Sequence, residues 1–512
     1  MFILDCTLRD GGYYTNWDFN STTVDAYIKA MNELPIDYLE LGYRSNPSSE
    51  YLGKFGYCPL SVMRHIRMNS RQKLAVMLNE KSTKPVDLGH LVAPLKGVID
   101  MIRLAVDPKN FDRAVVLAEA VKSYGFEVAF NMMYMSKWGQ YDGLIERLST
   151  LNGVVDIFNM VDSYGSITPN EVRDIINSVK KTLSCKIGFH GHNNLQLGLI
   201  NTLTAIDCGV DSVDATILGM GRGAGNLNME LLLTYLNKHT GLNVNFNELG
   251  EAVQAIMPLY EKYRWGTSLP YMISGANSFP QKEVMEWVSN RVYSFNSIVR
   301  ALDNRKENKE DNAKYPEFEV KRKYKHVLVV GGGDTVVEHI DAIYEFLKKY
   351  PDTAVVLSTA RHAALFLNKD LPLFYCLVGN EGHRLNANVG AKHYSGTCIL
   401  PPYPRTMGTE VPAFAAPSTY ELKNISFIDG YKDSVTTIAI QLALNLTDGD
   451  VFVVGYDGYP GSVLSEKEVS LTHENNEIFL AYQKRRGCHL KSLTPSIYRT
   501  LEVVSIYQFI DE

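Results

Sequence analysis

A chain of 512 residues with 45% hydrophobic content has room for two or three domains with real cores. Its formal net charge of −6 leaves no basic footprint, so no nucleic-acid partner is expected. The opening MFILDCTLRD carries charge within five residues and no long apolar run, which reads as neither a signal peptide nor a membrane anchor. Seven scattered cysteines without a CxxC pair argue for a reducing compartment and against a thiolate zinc site, so a soluble, cytoplasmic protein is expected.

From residue 2 to about 240, short apolar runs alternate with longer amphipathic segments. The expected strands are Phe2–Cys6, Asp37–Gly42, Lys73–Leu78, Ile99–Val106, Phe126–Met133, Val155–Val161, Lys186–His192 and Asp211–Ile217. Helical spacing fills most gaps, as at Thr22–Leu34 and Phe111–Gly125; a helix near Leu60–Met68 is the weakest. Eight such units over about 240 residues are what a (β/α)8 barrel requires, and its functional side chains sit at the carboxyl ends of the strands. Arg9, Asp10, Glu40, Arg44, Arg103, Asn131, Asp162, His190 and His192 all lie at or just past such ends. Residues 241–302 read as a helical extension, and 303–325, nearly devoid of aliphatics, as a charged linker. A new α/β pattern begins at His326. The runs TAVVLST, LFYCLVGN, ISFIDG and DVFVVGYDG and a helix over Ser434–Leu446 predict a smaller Rossmann-like domain over 326–512.

Two stretches carry the chemistry. In GFHGHNNLQLG (Gly188–Gly198), His190 and His192 are two residues apart on a strand and therefore project to the same side, where they can grip one cation. LDCTLRDGG (Leu4–Gly12) ends an apolar strand with a guanidinium, Arg9, beside a carboxylate, Asp10. Two imidazoles and one carboxylate suit a cation with open positions for a chelating oxygen substrate.

The ordered set TLRDGG, ELG, HGHNN and VDATILGMGRGAGNLNMELL (Val213–Leu232) resembles the metal-dependent aldolases and lyases named for their Asp-Arg-Glu barrel signature, nearest the 4-hydroxy-2-oxovalerate aldolases. The resemblance covers about residues 2–300 and implies an enzyme that makes or breaks a carbon–carbon bond through a metal-bound pyruvate-type enolate. Its substrates would be a 2-oxo acid and an aldehyde. On matching positions it implies that Asp10, His190 and His192 hold Mn²⁺ or Mg²⁺, with Zn²⁺ used by some relatives. Asn226 stands where some lyase relatives place a further ligand. Arg9 would stabilise the enolate and Glu40 would orient Arg9. A homo-oligomer is implied by the same likeness.

The chain departs from that pattern at Tyr13, where these aldolases carry a histidine base; a tyrosine transfers protons only with a lowered pKa or through water. Arg44, Arg103 and Asn131 are candidate substrate contacts, with a structural role as the alternative. In the C-terminal domain, Gly331, Gly332 and Gly333 can cradle a phosphate, of a nucleotide or sugar phosphate, or form a tight turn without a ligand. Arg361 and Arg405 are candidate phosphate-binding arginines, and VVGYDG places an acid at a second strand end. The rival readings are a Claisen-type condensation of acetyl-CoA with a 2-oxo acid and, in another class, a non-catalytic binding scaffold.

Overall fold

The computed structural model describes the chain except residues 50, 290–292, 294, 310–311, 368–369, 406–407, 460–465 and 511–512. It divides into two compact units, Met1–Glu286 and Trp287–Glu512. In the first, β1 (Phe2–Asp5), β2 (Tyr38–Tyr43), β3 (Lys73–Asn79), β4 (Met101–Val106), β5 (Glu127–Met132), β6 (Ile157–Asp162), β7 (Lys186–Gly191) and β8 (Ser212–Ala215) form a closed parallel barrel in chain order. Pairing of β1 with β8 closes it. Each strand lies within two residues of the position its apolar run predicts. The helix Leu60–Asn69 forms, but it buries only Met63 and Ile66, which is why its periodicity is faint.

Strand alternation stacks two layers inside the barrel. The lower is apolar: Leu4, Tyr38, Ala75, Met101, Ala129 and Ile157. Two residues further along their strands stand Cys6, Glu40, Arg103, Asn131 and Asn159, joined by His190 and Asp214, all buried. A plug of hydrocarbon thus supports a layer of buried polar groups beneath the mouth.

The segment read as one helical extension is divided. Helices Phe246–Tyr263 and Leu269–Ala276 belong to the barrel unit, the former packing on the helix Ser21–Met31. Helix Phe295–Lys306 belongs to the second unit, where Arg300 donates to the carbonyls of Gly379 (2.9 Å) and Gly408 (3.2 Å) and pairs with Glu410 (3.0 Å). The charged stretch 303–325 is anchored rather than loose in its described part. Phe318 N donates to Glu421 O (2.8 Å), and its ring packs edge-on against Phe374.

The second unit is built on one parallel sheet of β9 (His326–Val330), β10 (Thr353–Leu357), β11 (Leu373–Cys376), β12 (Thr397–Leu400), β13 (Thr419–Glu421), β14 (Asp450–Val454), β15 (Leu490–Ser492) and β16 (Leu501–Val503). Its order is β13-β12-β11-β10-β9-β14-β15-β16. Strand order therefore reverses between β9 and β14, the switch point at which doubly wound sheets open a crevice. The run ISFIDG (425–430) forms no strand. Ile425 and Phe427 are buried in the core, but Ser426 N donates to Gln441 Oε1 (2.7 Å) instead of a sheet partner.

Candidate active site

Strand β1 stops at Asp5, whose carboxylate accepts from Thr7 N (2.8 Å) and Thr7 Oγ1 (2.9 Å). The chain then enters the helix Thr7–Thr15, so Arg9 and Asp10 stand on a helix at the barrel's carboxyl end rather than on the strand itself. Arg9 pairs with Asp10 and donates Nε to Glu40 Oε2 on β2 (2.8 Å). The same carboxylate oxygen accepts Nη1 of Arg103 on β4 (3.0 Å), and Arg103 also pairs with Asp214 on β8. Asp214 in turn lies 2.9 Å from His190 Nδ1. One buried chain of charge therefore runs Asp10, Arg9, Glu40, Arg103, Asp214, His190. Burial pushes the Asp214 carboxyl up, but Arg103 and His190 outweigh it and bring it down to about 2. Burial likewise opposes ionisation of Asp10, and Arg9 with the two imidazoles prevails, holding it below the usual carboxylate range.

The donor atoms fit a divalent cation. An ionised Asp214 only accepts, so His190 Nδ1 donates to it, and Nε2 is the ring nitrogen turned towards Asp10 for a cation. His192 Nδ1 is fixed in the same way on the carbonyl of Asp162 (2.8 Å). Burial, followed by His190, drives the His192 imidazole down to about 3, so it is neutral as a ligand must be. His190 Nε2 lies 3.8 Å from Asp10 Oδ2, beyond hydrogen-bond reach. Asn226 Nδ2 donates to that same oxygen (2.7 Å), while Asn226 Oδ1 is buried without a partner. Three buried carboxylates face two guanidiniums in this network, an excess of negative charge that a cation would balance. Cys6, His190 and Asp214 also converge. Asp214 is already held by Arg103 and His190, and burial raises the Cys6 thiol, so that trio does not offer three free ligands.

Asp10, His190, His192, Asn226, Arg9 and Glu40 are thus brought together. Asn226 arrives because the loop after β8 pairs with the end of β7: Asn193 N donates to Gly225 O (2.9 Å), and His192 and Asn226 form a bridge. Tyr13 Oη is 3.3 Å from Tyr43 Oη, beside Trp17. Arg103 presents nothing to a substrate: it is fully buried between two carboxylates, and the Asn131 amide sits between it and Asn159. Arg44 is structural, its guanidinium donating to the carbonyls of Leu91, Tyr57, Cys58 and His90. Asp214, missed by sequence reasoning, was legible as a strand-end acid two residues past buried Ser212 on β8.

In the second unit, the expected phosphate cradle is filled by the chain itself. Gly331 N donates to Val454 O and Gly333 N to Gly455 O (2.8 Å each), and the Asp457 carboxylate accepts from Thr335 N (3.0 Å) and Thr335 Oγ1 (2.5 Å). A side chain at Gly333 would collide with that carboxylate. Arg361 donates to Gly332 O (2.7 Å) and pairs with Asp334 (3.2 Å). Arg405 is buried against Pro401 O (3.1 Å) and Glu421 (3.0 Å); Thr406 and Met407 beside it lie outside the described residues.

Comparison with known proteins agrees with the barrel's architecture. A family model described as HMGL-like matches residues 98–256. The 4-hydroxy-2-oxovalerate aldolase of Thermus thermophilus is 30% identical over 263 residues, 50% of this chain and 74% of that protein. That of Geobacillus thermodenitrificans is 28% identical over 269 residues, 51% and 77% respectively. The oxaloacetate decarboxylase of Mycobacterium tuberculosis is 27% identical over 265 residues, 50% and 76%. The crystal structure of the N-terminal domain of a proposed aldolase from Bacteroides vulgatus is 65% identical, covers 59% of this chain and all of that one, and has a TM-score of 0.57. The family model falls within the barrel unit, and the chain belongs to the HMGL-like family of Asp-Arg-Glu barrel lyases.

Proposed function

We propose that the barrel is a divalent-metal-dependent aldolase that joins or separates pyruvate and an aldehyde through the pyruvate enolate. The observation that carries this reading is the pair of imidazoles whose Nδ1 atoms are both tied down, leaving two Nε2 lone pairs beside Asp10 and Arg9. Asp10, His190 and His192 would hold the cation, with Asn226 Oδ1 as a further ligand. This nitrogen and oxygen set suits Mn²⁺ or Mg²⁺, and Zn²⁺ as well. When bound, such a cation supplies Lewis-acid polarisation of a 2-oxo acid.

The chain's own residues do the rest. Arg9 presents donors where the enolate charge develops, and Glu40 holds its Nε so that nothing need reorganise during reaction. Arg103 and Asp214 position Glu40 and His190 from below. Tyr13 Oη, paired with Tyr43 Oη, would relay the hydroxyl proton of the aldol through water, passing its own phenolic proton to solvent as it accepts the substrate's and recovering it on the return. Seven free thiols suit a reducing, cytoplasmic setting, and no helix among the described residues is long and apolar enough to cross a membrane.

The test is pyruvate release from 4-hydroxy-2-oxo acids by the full chain, with Mn²⁺ present and after chelation. Metal-dependent release that disappears in Asp10→Asn supports the reading, and release indifferent to chelation contradicts it. A second reading, decarboxylation of oxaloacetate, is favoured by the similarity to the Mycobacterium tuberculosis enzyme and would use the same enolate. Oxaloacetate offered in the same assay separates the two.

A further inference from the structure

Resting on the aldolase reading, we infer that Arg222 forms a subsite for an anionic group, so that the aldehyde partner carries a carboxylate or a phosphate. Arg222 is the one charged residue within GMGRGAGN, the loop that also carries Asn226 onto Asp10. Its guanidinium lies over the ring of Tyr13, 5.2 Å from the centroid, and is near enough to His192 and Tyr164 to act on both electrostatically. It is half-buried. Among the described residues no carboxylate comes within ion-pair distance of it and no carbonyl accepts from it, in contrast to Arg9, Arg44 and Arg103.

A partly desolvated guanidinium without an anion is unfavourable, and its planar fork matches the oxygen spacing of carboxylate and phosphate. The neighbouring cation, Lys137, does not share this state, since it lies over the Tyr164 ring (4.9 Å) and donates to Ser278 O (3.1 Å).

The loop is built to hold this arginine in place. Gly223 and Gly225 have φ of +64° and +78°, a region that favours glycine, and Tyr14 Oη donates to Gly223 O (3.2 Å). Asn226 N donates to Gly219 O (2.9 Å), closing the loop at its base. The consequence is a mouth with two kinds of positive element: a cation-binding centre with Arg9 for the enolate end, and Arg222 for the far end of the partner. The anion would seat at the N–H edge, in the plane of the guanidinium, while the Tyr13 ring covers one face.

The experiment uses the full chain with Mn²⁺ and calorimetric binding of two unreactive analogues, glycerol 3-phosphate and 4-hydroxybutyrate, to wild type, Arg222→Met and Arg222→Lys. The expected result is binding of one or both by wild type, weakened roughly tenfold or more in Arg222→Met and partly restored by lysine. Which analogue binds tells phosphate from carboxylate. In parallel, kcat/KM for pyruvate addition to glyceraldehyde 3-phosphate or succinic semialdehyde, relative to neutral aldehydes of similar length, should fall in Arg222→Met. Equal binding to wild type and Arg222→Met, or binding of neither analogue by wild type, overturns the subsite. Arg222-dependent anion binding without any pyruvate chemistry overturns the aldolase reading while the subsite stands.

Discussion

Both units place a glycine-containing loop beside an acid at the carboxyl edge of a parallel sheet, and use it in opposite ways. At the barrel mouth the acid is Asp10, and its surroundings keep spare capacity: two imidazole Nε2 atoms and the unpartnered Asn226 Oδ1. At the switch point of the second unit the acid is Asp457, and it lies against the loop. The Thr335 amide and hydroxyl donate to it, while Gly331 N and Gly333 N donate to the end of β14. A loop of glycines is therefore a candidate site only where polar atoms remain unused. By that criterion the barrel is built to receive a ligand, and the GGGD turn is built to be closed.

The comparison can be broken first at the proposed metal ligands. His192→Ala should lower Mn²⁺ affinity by more than about 100-fold and abolish pyruvate chemistry, both read on the same preparation; ligand partners one step further out already contribute about 10–100-fold. Asp214→Asn comes next. It removes the negative charge that holds His190 Nδ1–H and leaves Glu40 as the only carboxylate on Arg103, so Mn²⁺ affinity should fall about 10–100-fold. Unfolding in urea should show a loss of about 3 kcal/mol, because a fully buried guanidinium loses a partner.

A pH effect should follow from Asp5. Burial pushes its carboxyl up to about 7 in the folded barrel, against 3.8 unperturbed. The folded state therefore holds an extra proton between those values, and stability falls as pH rises through that window, by about 4 kcal/mol at most. Denaturation midpoints of the wild type should drop from pH 4 to pH 7 more than those of Asp5→Asn. The smallest effect is expected at the closed loop. Asp457→Ala removes two hydrogen bonds to Thr335 and should destabilise the second unit by about 1–2 kcal/mol in denaturant.

Legibility in the sequence followed physical regularity. The eight barrel strands were readable because both faces of each are buried and most positions in the runs are apolar. The metal-facing residues were readable because HGH and TLRDGG place imidazoles and a carboxylate at strand ends. In the second unit β12, β13, β15 and β16 escaped because each is only three or four residues long. ISFIDG misled because burial of Ile425 and Phe427 does not require a sheet partner. At the site, the partners of the arginines were invisible. Arg103 meets Asp214 across 111 residues, and Arg44 spans four carbonyls from two segments, pairings that exist only once the barrel has closed. The Gly331–Gly333 turn reads as a phosphate cradle until Asp457, over a hundred residues later, is seen to fill it.

The central claim, that the cation-binding imidazoles serve enolate chemistry, is tested most directly by deuterium exchange into the methyl group of pyruvate in heavy water. The full chain is compared with His190→Ala, and Mn²⁺ occupancy is measured alongside. The account predicts exchange that requires Mn²⁺ and is lost in the variant. Wild-type protein that binds Mn²⁺ at this site and leaves the pyruvate methyl unexchanged would contradict it.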